Sequence, residues 1–196
     1  MRGEIYNDEL ILLDLNAHDY LFTSYKPKSD KAEVIAEGEV DLEEHFPLPP
    51  FKDGYVAVSD HTLGYLLRYE PRIFWFDLQG KEYLGNQLFE DYGDIGYEVP
   101  DEDAGAILPP NEVPIANWGI MQKPQSDNTF LLSIEGRSES EIRYKRNHLY
   151  VMDPEQGQIE KGYAISEEPD NIYRYLASSE NVYYVDEDWN LYQIDF

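Results

Sequence analysis

Forty acidic side chains stand against fifteen basic ones in this 196-residue sequence, a formal charge of −25. Carboxylates are therefore the chemistry it has most to offer. They can ligate metals, act as acid–base pairs, cap backbone turns or attract cations. Four of them are placed alike. Asp14, Asp77, Asp153 and Asp186 each close a run of four apolar residues: Leu10–Leu13, Ile73–Phe76, Leu149–Met152 and Val182–Val185. An Asp in that place accepts hydrogen bonds from the N–H groups of the turn that follows. Turn capping, rather than catalysis or metal ligation, is the expectation for all four.

A different chemistry is suggested by Glu90, Asp91, Tyr92, Asp94, Tyr97, Glu98, Asp101, Glu102 and Asp103, with Phe89 before them and Trp118 after. Carboxylates interleaved with aromatic rings suit the gripping of Lys and Arg, through ion pairs and cation–π contacts. These residues with Trp118 are the candidate partner-binding set. The competing expectation is a solvated insertion between repeats.

Other motifs point to no activity. His18, His45, His61 and His148 stand singly, without metal-ligand spacing. Asp60 and His61 are neighbours on a turn, where side chains do not reliably face each other, and no motif supplies a nucleophile for them. Asp186–Asn190 resembles the opening of a calcium loop, but Leu191 stands where that loop needs Gly. There is no Cys, and so no disulfide framework or thiolate site. A Gly-rich phosphate loop, a Gly-x-Ser-x-Gly elbow and a His-Glu-x-x-His helix are all missing from the sequence. No catalytic residue, cofactor-binding residue or metal ligand is assigned, and no cofactor is expected.

The charge bears on partners as well. A strongly negative field repels nucleic-acid phosphates and anionic membranes and draws in basic proteins. No run of about 18 apolar residues is present to span a bilayer. Met1–Glu4 leads into the first strand without a signal-peptide pattern, so the cytoplasm is expected, with a secreted form whose leader has been removed left open.

The elements that carry these residues read as strands. Tyr55–Asp60, Leu63–Tyr69, Ile73–Asp77 and Lys81–Leu84 follow one another as a complete four-strand unit. Thr129–Ile134, Glu141–Lys145, Leu149–Asp153 and Gln158–Tyr163 form a second. Residues Glu4–Tyr25 read as two strands, Leu10–Leu15 and Tyr20–Tyr25, and Ile172–Leu176 with Val182–Ile194 closes the chain. A Pro- and Gly-rich acidic insertion is expected at about 85–128, where alternation is lost. The four Asp residues recur 33 residues apart at the C-terminal end (186 − 153) and at about twice that elsewhere. Strand repeats of roughly 30–45 residues point to a propeller or a related array.

The hairpins carry a resemblance too. Leu149–Gly157 resembles the blade hairpins of quinoprotein-type β-propellers, and Val182–Ile194 is similar to their strand, acidic turn and Asn-Leu-Tyr strand. Ile73–Gly85 looks more like NHL-type blades. The resemblance implies a propeller fold. It implies no activity, because Tyr163 stands near the place of the expected Trp and no cofactor-binding residue matches.

The fold class expected is therefore all-β: one domain over 1–196, a small antiparallel propeller of four to five blades. The alternative is a large antiparallel sandwich. Closure by pairing the N-terminal strand beside the last one would remove exposed edges. The expected function is a non-catalytic, acidic module that binds a protein partner, one of basic character, and that is itself a monomer. Two alternatives stand beside it. One is an immunity-type inhibitor covering the basic site of a nuclease or toxin, and the other is carbohydrate binding or hydrolysis on a propeller face.

Overall fold

A computed structural model of the chain describes residues 3–14, 17–41, 53–68, 70–89, 115–137, 142–145, 147–155, 158–165, 172–178 and 180–194. Among them are sixteen strands, paired antiparallel throughout, and no helix. The strands form four sheets. Blade 1 is β1 (Gly3–Tyr6), β2 (Glu9–Leu13), β3 (Phe22–Lys26) and β4 (Lys31–Ile35). Blade 2 is β5 (Gly54–Ser59), β6 (Thr62–Leu67), β7 (Arg72–Asp77) and β8 (Glu82–Leu88). Blade 3 is β9 (Ile115–Gln122), β10 (Phe130–Arg137), β12 (His148–Asp153) and β13 (Gln158–Ala164), with β11 (Ile142–Tyr144) paired to the end of β10. Blade 4 has β14 (Ile172–Ala177), β15 (Val182–Asp186) and β16 (Leu191–Ile194). The sheets are arranged as a four-bladed β-propeller, with β1, β5, β9 and β14 innermost around one cavity.

Alternation along the strands supplies the glue, since each sheet turns every second side chain to either face. Between blades 1 and 2 lie Ile11, Leu13, Phe22 and Ile35 from one side and Tyr65, Phe74 and Phe76 from the other. Phe22 meets Tyr65 and Phe76 edge-on, with ring centroids 5.5 and 5.2 Å apart, an arrangement favoured by aromatic quadrupoles. Leu66, Ile73 and Trp75 turn the other face of blade 2 to Ile120, Phe130, Leu132 and Met152 of blade 3. Gly64 makes this approach possible: a Cβ there would lie 2.7 Å from the Trp75 ring and 2.8 Å from Ile120. Blade 3 in turn packs Leu131, Leu149 and Val151 on Val182 and Ile194 of blade 4. No buried apolar cluster among the described residues joins blade 4 back to blade 1.

Polar ties cross the first two interfaces. The Ala36 N–H donates to the Lys81 carbonyl at 3.0 Å and the Tyr83 N–H to Glu39 Oε2 at 2.7 Å, while Lys81 pairs with Glu33. Buried Asn117 on β9 reaches into blade 2: its side-chain amide donates to the carbonyls of Leu67 and Glu70 at 2.5 and 2.6 Å. Gln87 accepts from the Trp75 indole at 2.7 Å and donates to the Pro154 carbonyl of blade 3 at 2.8 Å.

The four Asp residues do cap turns. Asp14 accepts from Ala17 N–H, Asp77 from Gln79 and Gly80, Asp153 from Glu155 and Asp186 from Asn190. Their spacing is not the repeat, however. Asp14 and Asp186 end the second strand of their blades, whereas Asp77 and Asp153 end the third. Blades begin at Gly3, Gly54, Ile115 and Ile172, an interval of about 50–60 residues and longer than the ~30–45 expected. Gly3–Tyr6 is a strand of its own, turned back by Asn7 and Asp8 in left-handed backbone (φ 48° and 66°). It pairs with β2, and β16 pairs with β15, so among the described residues the first strand does not close beside the last. Within the expected insertion, Gly85–Leu88 complete β8 and Ile115–Gln122 form the inner strand of blade 3.

Candidate functional site

The inner strands border a central cavity of 790 Å³. Residues Gly3–Asn7 of blade 1, Tyr55–Val58 and Asp60 of blade 2, Trp118–Gln122 of blade 3 and Arg174–Ser178 of blade 4 line it. No two of these segments are near in sequence, so the site exists only in the folded ring.

Three tyrosines are fixed by the interfaces behind them. Tyr6 packs on the core between blades 1 and 2, Tyr55 on that between blades 2 and 3, and Tyr175 on that between blades 3 and 4. Each of the three also lines the cavity. Trp118 on β9 adds a fourth aromatic wall and is 37% exposed. Beside it, the place of a Cβ on Gly119 has no atom within 4 Å, so this stretch of wall faces open space.

The charged lining groups are Glu4, Asp60 and Arg174. Glu4 is exposed on the cavity wall, where neighbouring protein atoms keep back part of its water. That desolvation raises its carboxyl above the usual range, against a backbone hydrogen bond from Ile5 that lowers it. Asp60 sits at the β5–β6 turn in left-handed backbone (φ 52°), with its Oδ2 2.5 Å from His61 Nδ1. The neighbours Asp60 and His61 thus meet after all, on an exposed turn at the cavity rim. Among the described residues, no group of three or more His, Asp or Glu is placed to hold a metal ion. No helix among them is long and apolar enough to cross a membrane.

Of the candidate partner-binding residues, Trp118 is placed on the cavity wall. Glu90, Asp91, Tyr92, Asp94, Tyr97, Glu98, Asp101, Glu102 and Asp103 lie outside the described residues. Trp75 is buried in the core between blades 2 and 3. The cavity residues Glu4, Tyr6, Tyr55, Arg174 and Tyr175 were not singled out by sequence pattern. The signal for them is positional: each lies on the first strand of a blade.

No protein-family model matches the chain, and no curated protein sequence matches it. Solved structures that resemble it include the hydrazine synthase of Kuenenia stuttgartiensis, at 13% identity and a TM-score of 0.44 over 95% of this chain and 46% of that one. Another is the Cps50 (Swd1) β-propeller domain of Myceliophteria thermophila, at 8% identity and a TM-score of 0.45 over 95% and 62%. The chain thus spans about half and about three fifths of the length of these two proteins.

Proposed function

We propose that this propeller is a non-catalytic binding module whose axial cavity receives a basic segment of a partner protein. One observation carries the reading: Tyr6, Tyr55, Trp118 and Tyr175 converge from four blades on a cavity that also holds Glu4 and Asp60. A cationic side chain over an aromatic face gains electrostatic attraction, more so where water is partly excluded. The net charge of −25 would steer such a partner inward. Arg174 also lines the cavity and would favour a ligand that brings an acceptor beside its cation. An inhibitor of a basic enzyme is the narrower form of the same reading.

The test is calorimetric titration with an oligolysine peptide at low and high salt, repeated on Trp118→Ala. Binding should weaken with salt, and Trp118→Ala should lose about 5–30-fold in affinity, the equivalent of 1–2 kcal/mol. An oligosaccharide that binds equally at both salt concentrations and displaces the peptide would overturn the reading in favour of a carbohydrate-binding propeller face. Equal peptide affinity in the Trp118→Ala protein would also sink it.

A further inference from the structure

Among the described residues, blade 4 is one strand short of the others. Its outer strand is β16, and among the described residues nothing pairs with its far edge. The outer strands elsewhere carry guards against such pairing. Lys31 and Glu33 lie on β4. β8 has Glu82 and a register shift opposite Trp75 and Phe76, with Gly85 at φ 119°. The register of β13 shifts opposite Val151 and Met152. Charges and bulges of this kind keep a sheet edge from acquiring a partner. Leu191-Tyr192-Gln193-Ile194 of β16 has no charged residue and no register shift.

The ladder fixes which groups that edge presents. The Asp186 N–H donates to the Asn190 carbonyl at 3.1 Å. Antiparallel alternation then bonds Tyr192 and Ile194 to β15 and turns the N–H and C=O of Leu191 and Gln193 outward. The surroundings are apolar and open: Leu191 is 59% exposed and Trp189 74%. Trp189 is also held in left-handed backbone (φ 65°), which bulky residues rarely adopt and which persists where surrounding structure imposes it. Carboxylates flank both ends of the strand. Glu187 and Asp188 are exposed where it starts, and exposed Glu180 precedes Asn181, whose side chain is bonded to Gln193 at 3.0 Å where it finishes.

We propose that β16 takes up an extended segment of another protein as the fourth strand of blade 4, a segment apolar at its centre and basic at its ends. Main-chain bonds to Leu191 and Gln193 supply affinity, and the side chains on either side supply selection. A second copy of this chain is a poor occupant, because its own β16 brings the same flanking acids and each copy carries −25. The surface is separate from the axial cavity, and the inference does not rest on the function proposed for that cavity.

The probe is the synthetic peptide Lys-Lys-Val-Thr-Val-Thr-Val-Lys-Lys, compared with the same peptide carrying Glu for Lys. Amide hydrogen exchange on the unmodified protein should slow by about 10-fold or more at Leu191 and Gln193 with the Lys peptide and not with the Glu peptide. Gln193→Pro removes an outward N–H while sparing the bonds to β15, a place where proline is tolerated. It should weaken the peptide by about 10-fold or more, whereas Gln193→Ala, which keeps the N–H, should bind it nearly as the parent does. Several results would overturn the assignment. Equal protection by the two peptides is one, and protection confined to β1, β5, β9 and β14 is another. The same amides slowing as protein concentration rises without peptide would assign the edge to a second copy instead.

Discussion

Among the described residues, blade 2 has a packed core on each face and blade 4 on a single face. The two are made of the same material: apolar strand runs, tight turns and an Asp that caps the turn after Phe76 in one and after Val185 in the other. Their environments differ. All six residues of β6 are buried, while three of the four residues of β16 are exposed. A blade hairpin is therefore not a stable object by its sequence alone. Its contribution depends on how many neighbours cover it, since the favourable energy is apolar area removed from water. Blade 2 is the part on which its neighbours depend, and blade 4 depends on blade 3.

Substitutions can break or sharpen this contrast. The largest effect should come from Phe76→Ala, which empties a fully buried site against Phe22 and Tyr83. It should cost about 3–5 kcal/mol, read as a lowered midpoint in urea unfolding. Gly64→Ala drives a methyl group into Trp75 and Ile120 across the interface of blades 2 and 3. A loss of about 1–3 kcal/mol in the same measurement is expected, and Gly119→Ala, with open space beside it, serves as the control. Leu191→Ser on blade 4 should change stability by no more than about 0.5 kcal/mol, because little apolar surface is hidden there. If it costs as much as Gly64→Ala, the contrast between the blades fails.

The smallest effect is linked to pH. Glu4 holds its proton more tightly in the folded protein than an unperturbed carboxyl does. The folded state therefore binds more protons than the unfolded chain between the ordinary Glu pKa and the raised one. Stability from this group is present at acid pH and is lost as pH rises through that window. Glu4→Gln should flatten that slope and stabilise the protein slightly at neutral pH. Urea midpoints measured across about pH 4–7 would show it.

The sequence discloses the sheets better than it discloses the ring. Apolar runs such as Ile73–Phe76 and Leu149–Met152 announce the middle strands of a blade, because both faces of those strands are buried. Their Asp caps are legible for a local reason, the reach of a short side chain to the next few N–H groups. Two of the inner strands are harder to see than Gly54–Ser59 and Ile172–Ala177. Gly3–Tyr6 and Ile115–Gln122 border the cavity, so their sequences mix Gly, polar and aromatic residues without a clean alternation. This also explains the misjudged period: the Asp residues mark different turns in different blades. Four residues such as Glu4, Tyr55, Trp118 and Arg174 come together only when four blades close on one axis, a relation that no window of sequence contains. Reading along the chain favoured instead the acid–aromatic run Glu90–Asp103, where chemistry is concentrated in sequence. Trp118 alone belongs to both readings.

The seam between blades 4 and 1, which holds no packed core among the described residues, gives the molecule a mechanical character. Three joints of the ring are bonded through packed side chains, and among the described residues the fourth is not. Tension applied across that joint meets no interlocked surface among the described residues, so the ring should respond as a clasp does, swinging open before any strand is torn from its sheet. Since the chain has no cysteine of its own, a pair introduced on the exposed turns at Asp8 and Asn190 would give clean handles for an optical trap. The extension should then begin at low force with every blade intact, and the sheets should yield only later, with blade 4 first and blade 2 last.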